Sequence, residues 1–231
     1  MEDEIDTNEN NNQQNNDKSL LELLEEFNTK YETNLNLETN DIDLSKKGIG
    51  DEGFQLLSQI PFGQINGINL SENKISDISP LTKMNLNNLI ELNLSKNRII
   101  SMEILEKLNL INLQRLYFSY NKIRNIKPLT KTNLTNLVKL DLTDNLISDI
   151  NDLESMYCLH LETIGLDMNE INDISVFERV NFPQLHELEF ANNYFEHELV
   201  KNNDIISNLS KKGCDVKIWG SVRQNLYSYL H

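Results

Sequence analysis

Hydrophobic residues recur along most of the chain with a fixed spacing of 24 positions. The spacing is clearest in the aliphatic residues that begin successive units: Ile65, Leu89, Leu113, Leu137, Leu161 and Leu185. Each unit follows the pattern L-x-x-L-x-L-x-x-N-x-I, as in segment 113–123, LQRLYFSYNKI. Because a fixed period of this length is typical of units that stack on one another, the pattern predicts a repeat array over residues 41–212.

The alternation of apolar and polar residues inside each unit predicts a short β-strand. Leu92 and Leu94, for example, are two positions apart, so both point from one strand into the core. An asparagine follows each strand, and its amide can pair with the backbone of adjacent units. We expect a ladder of these residues: Asn73, Asn97, Asn121, Asn145, Asn169 and Asn193. Other apolar columns predict the wall of a convex side, for example Leu81, Leu105, Leu129, Leu153 and Phe177.

The start of the chain differs from the repeats. Residues 1–18 are almost all Asn, Gln, Asp and Glu, with little apolar surface, and we expect a disordered tail. Ser19 and Glu22 have the spacing of a capping box, which predicts a helix over 20–33. This helix belongs to a cap, residues 19–40, that covers the first unit. Its apolar stripe is expected to comprise Leu20, Leu23, Leu24, Phe27 and Tyr31.

The regular pattern also changes near the end of the chain. Leu199, Ile205 and Leu209 have the spacing of a last convex helix. The segment 214–219, CDVKIW, alternates like a closing strand, and a helix is expected over 221–230. These elements predict a C-terminal cap at residues 213–231.

The repeat motifs resemble those of the leucine-rich repeat family. The return segments 75–81, ISDISPL, and 123–129, IRNIKPL, are similar to those of the subfamily that includes the regulatory subunit of protein phosphatase 1 and the bacterial internalins. The first unit, residues 42–57, resembles the ribonuclease-inhibitor type. The resemblance implies an α/β solenoid with a parallel concave sheet, short helical or irregular convex segments and helical caps. It also implies a protein-binding role, with a phosphatase catalytic subunit as one candidate partner.

Composition and charge restrict the remaining function classes. The 231 residues carry a net charge of −15, and residues 1–60 hold 15 Asp and Glu against 4 Lys and Arg. Such an acidic surface repels phosphate backbones, so we expect no nucleic-acid partner. No stretch approaches the ~20 consecutive apolar residues of a membrane-spanning helix, and MEDEIDTNEN does not resemble a signal peptide. We therefore expect an intracellular protein, cytoplasmic or nuclear, that is not inserted in a membrane and is monomeric on its own.

One glycine-rich turn, Gly48-Ile-Gly50-Asp-Glu-Gly53, matches the G-x-G-x-x-G pattern of dinucleotide-binding turns. Asp51 and Glu52 would stand where a pyrophosphate must approach, and no doubly wound sheet follows. We interpret Asp51 as the N-cap of the first convex helix. A nucleotide-binding enzyme that uses Gly48–Gly53 is therefore the least favoured alternative.

The histidines and cysteines show no catalytic or metal-binding spacing. The four histidines include no H-E-x-x-H motif, and Cys158 and Cys214 form no C-x-x-C motif. Cys158 lies in a column of leucines, so we expect it to be a buried hydrophobic residue. We accordingly expect no metal, no cofactor and no enzyme activity.

The concave face remains as the candidate for function, because its residues vary between units while the core residues do not. The row at the first strand position is Gly67, Glu91, Arg115, Lys139, Thr163 and Glu187, and the row at the third is Asn69, Asn93, Tyr117, Asp141, Gly165 and Glu189. A third row, just past the strands, is Glu72, Lys96, Tyr120, Asp144, Met168 and Asn192. Tyr and Arg carry much of the binding energy at protein interfaces.

We therefore predict a partner-binding surface, here called the central patch, made of Glu91, Lys96, Arg115, Tyr117, Tyr120, Lys139 and Asp141. A permanent structural subunit of a larger complex is the alternative that the sequence leaves open.

Overall fold

The computed structural model describes residues 19–194 and 199–218, with side chains of the last segment described from residue 202. The expected tail at 1–18 and the expected helix over 221–230 lie outside the described residues.

The repeats form one eight-stranded parallel sheet whose strands follow one another in chain order. The strands are β1 (Asp41–Asp43), β2 (Gly67–Asn69), β3 (Glu91–Asn93), β4 (Arg115–Tyr117), β5 (Lys139–Asp141), β6 (Thr163–Gly165), β7 (Glu187–Glu189) and β8 (Asp215–Lys217). From β2 to β7 each residue pairs with the residue 24 positions later, as Leu92 does with Leu116. The predicted register of the repeats is therefore confirmed.

The core runs through the stacked units as a single hydrophobic cluster. The middle residue of a strand and the residue two positions later, such as Leu92 and Leu94, are both fully buried. A unit cannot bury these side chains alone, so each unit depends on the neighbouring ones for its stability.

The predicted asparagine ladder is present. Asn97 shows its pattern: its Oδ1 accepts hydrogen bonds from the backbone N–H groups of Ile75 (2.9 Å) and Asn73 (3.1 Å). Its Nδ2 donates to the backbone oxygens of Leu70 (2.9 Å) and Leu94 (3.0 Å). Because these partners belong to two successive units, the amide joins the units where the chain leaves the sheet.

The convex side consists of short helical segments, as expected. The first unit returns through an α-helix, α2 (Gly50–Leu57), and a later unit through the four-residue α3 (Pro128–Lys131). Four other units return through single 3₁₀ segments: Ser79–Lys83, Glu103–Lys107, Asn151–Ser155 and Ser175–Glu178. These short return segments keep the convex side thin and leave the sheet as the broad face of the molecule.

The N-terminal helix α1 (Leu20–Tyr31) covers the first unit and begins with the predicted capping box between Ser19 and Glu22. Two details of the prediction are wrong. The helix ends at Tyr31, and not at residue 33, because Glu32 adopts a left-handed conformation with φ of 51°. Leu20 is 48% exposed and lies outside the buried stripe, since only the next turns of the helix face the array.

The C-terminal end is closed by α4 (Leu199–Lys211) and β8. The predicted convex helix and closing strand are both found. Because β8 pairs with β7 in parallel, the sheet continues through Asp215–Lys217, inside the segment that the sequence assigned to the cap.

Candidate functional site: the concave sheet face

The first and third residues of most strands project from the concave face while the middle residue is buried. In β4 these outward residues are Arg115 and Tyr117, with Leu116 between them in the core. Since the strands are parallel and in register, each outward residue has its counterparts from the neighbouring units beside it. The rows read from the sequence are therefore real neighbours in space.

Arg115 is held in place by an acidic residue on the preceding strand. Its Nε lies 2.6 Å from Oε2 of Glu91, which pairs with Arg115 in the sheet register. Both side chains remain partly exposed, so the ion pair itself adds little stability. Its main effect is to fix the direction of the guanidinium group over the sheet.

Tyr117 is the half-buried centre of the face. The Nζ of Lys139 lies 5.9 Å from the centroid of its ring, within the range of a cation–π contact. Partial burial, and next the charge of Glu91, raise the pKa of Tyr117. The phenol therefore stays protonated at neutral pH and can donate a hydrogen bond to a ligand. On the adjacent strand, Asp141 pairs with Tyr117 in register.

Tyr120 lies at the rim, where the chain leaves the strand, and is 43% exposed. The Nζ of Lys96 is 5.7 Å from the centroid of its ring. The same Nζ lies 3.3 Å from Oε1 of Glu72, and that carboxylate is 3.5 Å from Nζ of Lys46. The rim is thus a line of alternating charges that ends on an exposed aromatic ring.

The structure brings the seven residues of the central patch onto β3, β4 and β5 and the adjoining rim. Five of them are outward strand residues, and Lys96 and Tyr120 form the rim pair. Whether these residues bind a partner remains a prediction.

A backbone feature of the rim was not foreseen from the sequence. Every residue of the third row has a positive φ between 51° and 60°, and none of them is glycine. The residues are Glu72, Lys96, Tyr120, Asp144, Met168 and Asn192. A side chain is sterically strained in this conformation, so non-glycine residues at these positions lower the stability of the fold. The repeated position in the sequence is a signal of shared geometry, but it does not show the sign of φ.

The glycine-rich turn serves the packing of the first two units. The interpretation of Asp51 as the N-cap of α2 is wrong, because Ile49 occupies that position and α2 has no side-chain cap. Asp51 instead accepts hydrogen bonds from the N–H groups of Ser76 (2.7 Å) and Asp77 (3.0 Å) in the next unit. Partial burial opposes ionisation of Asp51, but these hydrogen bonds outweigh it and lower its pKa. The turn thus presents a carboxylate bonded to the neighbouring unit, which disfavours an approaching pyrophosphate.

Cys158 lies buried in the convex wall, as predicted from its column of leucines. Its Sγ donates to the backbone oxygen of Leu134 at 3.3 Å. Burial raises the pKa of the Cys158 thiol to about 12, so the thiol does not ionise at neutral pH. Cys158 is therefore a packing residue.

Within the described segments, no group of three or more His, Cys, Asp and Glu residues could hold a metal ion. No helix found there is long and apolar enough to cross a membrane.

Comparison with known proteins agrees with the repeat pattern and the fold. A family described as Leucine Rich repeats (2 copies) matches residues 111–155, which contain β4, α3 and β5. No curated protein sequence matches the chain significantly. The fold of the chain is a leucine-rich-repeat solenoid, and the family model matches its central units.

Solved structures show how far this likeness reaches. A leucine-rich-repeat protein of Leptospira interrogans is 19% identical with a TM-score of 0.52, over 71% of this chain and 45% of that one. Two internalins of Listeria monocytogenes are each 24% identical. Internalin F has a TM-score of 0.48 and the match covers 73% of this chain and 50% of that one. Internalin C2 has a TM-score of 0.49, and the match covers 85% of this chain and 92% of that one. This chain thus spans about half the length of two of these proteins.

Proposed function

We propose that this protein is a non-catalytic interaction module that binds a partner protein on its concave face, centred on Arg115, Tyr117 and Tyr120. The observation that carries the proposal is the arrangement of the central patch. It joins two partly exposed aromatic rings, a guanidinium fixed by Glu91 and two lysines on a rigid sheet. Such groups supply area, stacking and directed hydrogen bonds at modest entropic cost.

The rigidity of the sheet favours this role. The described backbone and core fix the positions of the strand residues before any partner arrives, so little ordering entropy is lost on binding. The polar residues Lys139 and Asp141 lie on the next strand, beside Arg115 and Tyr117. We assign them to specificity, because partly solvated charges at the edge of an interface affect partner choice more than affinity.

The test is a pull-down of the natural partner with the full chain and its variants. The double variant Tyr117→Ala and Tyr120→Ala should lose on the order of 2–4 kcal/mol of binding free energy while the melting temperature stays near that of the parent. Tyr157→Ala is a matched control, because Tyr157 is 64% exposed and lies outside the concave rows. A convex control is Lys83→Ala with Lys131→Ala.

The proposal fails if the double variant still binds the partner. If the convex variant loses the partner instead, the binding surface lies on the convex side. A phosphatase catalytic subunit, the partner suggested by the resemblance to phosphatase regulators, can be tested directly as prey in this assay.

Washing the captured complex with high salt distinguishes a permanent subunit of a larger complex from a regulator that exchanges. A regulator that exchanges would release its partner in high salt, whereas a permanent subunit would stay bound.

A further inference from the structure

A row of basic side chains lies just past the rim, beside the concave face. The residue after the ladder asparagine is basic in three successive units, which carry Lys74, Arg98 and Lys122. All three residues are exposed. The same position of the later units holds Leu146, Glu170 and Tyr194. In a chain with a net charge of −15, the cations at this position are thus concentrated in one part of the array.

The backbone keeps the three basic residues side by side. The N–H of Arg98 donates a hydrogen bond to the backbone oxygen of Ile75 at 2.7 Å, and the N–H of Lys122 donates to that of Ile99 at 2.9 Å. Adjacent units therefore remain paired beyond the strands, and equivalent residues are separated by one strand spacing of ~4.8 Å. Two such spacings give the row a length of roughly 10 Å.

The three cations are available to a ligand. Within the described segments, the side chains of Lys74, Arg98 and Lys122 make no hydrogen bond and no ion pair. The charge of Arg98 acts on Asp51, but Oδ1 of this carboxylate already accepts two backbone hydrogen bonds from the next unit. An acidic ligand that binds the three side chains therefore breaks no ion pair of theirs inside this part of the protein.

Arg124 extends the row into a second column, two residues past Lys122. Its Nη1 lies 3.9 Å from Oε2 of Glu170, and its side chain is 65% exposed. At this distance and exposure the ion pair is weak, so Arg124 can also contact a ligand. The four cations Lys74, Arg98, Lys122 and Arg124 are here called the basic strip.

Ile100 gives the basic strip an apolar contact. It is 64% exposed, whereas Ile99 before it is fully buried, so Arg98 and Ile100 project to the same side of the chain. The equivalent residues of other units are all polar: Ser76, Arg124, Ser148 and Asn172. A single exposed aliphatic residue is common on protein surfaces. This one, however, is bordered by Arg98 in its own unit and by Lys122 and Arg124 in the next.

An open groove of about 700 Å³ lies beside the basic strip, and Ile100 is part of its lining. Ile104 also lines the groove, so an aliphatic ligand side chain that reaches Ile100 finds apolar contact there. Asp77 and Glu103 line it as well, and their charges disfavour acidic ligand side chains inside it. The groove and the basic strip therefore select different groups of one ligand.

We propose that the basic strip binds an acidic segment of a partner protein, in which an aliphatic side chain that contacts Ile100 lies between Asp or Glu residues that pair with Arg98 and Lys122. The inference goes beyond the proposed function, because the basic strip lies outside the central patch. Charge complementarity and the position of Ile100 among the cations support it.

A nucleic acid fits this surface less well than an acidic peptide. The row covers only roughly 10 Å, which allows few phosphate contacts, and the net charge of the chain repels a long polyanion. A phosphate backbone also offers no aliphatic group to Ile100. We therefore assign the basic strip to a protein partner.

The experiment uses the full chain and fluorescent peptides of about twelve residues. The reference peptide carries one leucine with two glutamates on each side of it. One companion has glutamine in place of every glutamate, and the other has serine in place of the leucine. Fluorescence anisotropy should show the reference peptide binding about tenfold more tightly than the glutamine companion and about fivefold more tightly than the serine companion. The affinity of the reference peptide should fall as salt rises.

Paired variants test the two parts of the surface. Arg98→Gln with Lys122→Gln should weaken the reference peptide about tenfold, whereas Lys211→Gln with Lys212→Gln removes the same charge at the other end of the array and should leave its affinity unchanged. Circular dichroism melts check that all variants remain folded.

Ile100→Thr keeps a β-branched side chain and should weaken the reference peptide about fivefold. Its control is Ile111→Thr, at an aliphatic residue that is 39% exposed and lies outside the basic strip.

Affinity unchanged in the Arg98 and Lys122 double variant, or equal binding of the glutamine companion, overturns the inference. Displacement of the reference peptide by duplex DNA at a lower concentration than by unlabelled peptide would identify a nucleic acid as the occupant and would also overturn it. A dimer in light scattering that this double variant dissociates would assign the basic strip to a second copy of the chain. Binding of the reference peptide only after neutralisation of the acidic residues within 2–6 would assign it to the chain's own first residues. Either of these last two results overturns the proposal of a partner protein.

Discussion

Replacing Asn121 by alanine tests the physical basis of the array at its centre. In the structure, Oδ1 of Asn121 accepts a hydrogen bond from the N–H of Ile99 at 2.9 Å. Its Nδ2 donates to the backbone oxygens of Leu94 and Phe118, each at 3.0 Å, and to that of Ser119 at 3.3 Å. Alanine removes all of these contacts and also leaves a small void.

The magnitude depends on which backbone groups lose their last partner. The oxygen of Leu94 still accepts from Asn97, and the oxygen of Phe118 still accepts from Asn145. The N–H of Ile99 has no such second side-chain partner in the ladder, so it is left buried and unpaired. An unpaired buried donor costs about 1–3 kcal/mol, and we therefore expect a loss of about 2–3 kcal/mol once the void is included.

Urea unfolding followed by circular dichroism measures this loss. With an m-value of about 2 kcal/mol per M, the midpoint should fall by roughly 1 M urea. Lys122→Ala is the adjacent control, because Lys122 is exposed and should leave the midpoint unchanged. Asn193→Ala should cost less than Asn121→Ala, since Asn193 is only partly buried. Equal midpoints for Asn121→Ala and Lys122→Ala would refute the role of the ladder.

Three further predictions concern the rim, the first cap and the convex wall. Tyr120→Gly should be more stable than Tyr120→Ala by about 1 kcal/mol in thermal melts, because the residue has φ of 56°; equal stability would contradict strain at the rim. Gly53→Ala should lower the free energy of unfolding by about 1–3 kcal/mol in urea, since the new Cβ would lie 2.6 Å from the hydroxyl oxygen of Tyr31. Replacing glycine by alanine inside a helix usually stabilises a protein, so a stabilised variant would argue against close packing of α1 on α2. Cys158 should not react with maleimide at pH 8 until the chain is unfolded, because burial raises the pKa of its thiol to about 12. Mass spectrometry measures the labelling, and a maleimide adduct on Cys158 in the native protein would contradict this prediction.

Much of the candidate site could be read from the sequence, because the fold converts sequence position into spatial position in a simple way. In a parallel ladder, residues 24 positions apart become neighbours, so Glu91, Arg115 and Lys139 follow one another along a row. The alternation within each strand then separates the outward Arg115 and Tyr117 from the inward Leu116. The membership of the central patch required no knowledge of side-chain conformation.

The interactions inside the patch could not be read in the same way. In sequence, Glu91 before Arg115 and Asp141 after it are at similar distances from the arginine. Only the folded structure shows that Arg115 pairs with Glu91. The same holds for the two glycines in these rows, Gly67 and Gly165, over which side chains of neighbouring strands lie. A glycine in a row indicates a missing side chain, but whether a neighbour fills the gap depends on rotamers and on the curvature of the sheet.

The sequence by itself determined the repeat period, the parallel register, the core columns and the ladder, because each of these arises from contacts between equivalent positions of adjacent units. Tertiary structure decided features that join unlike positions. Asp51 bonds to the next unit and does not cap its own helix, and Leu20 remains exposed at the first residue of α1. The left-handed backbone of the rim, and the approach of Lys96 to the ring of Tyr120 there, are likewise seen only in the folded chain. Such contacts join residues whose separation in sequence follows no repeat or local pattern, so they cannot be read before the chain is folded.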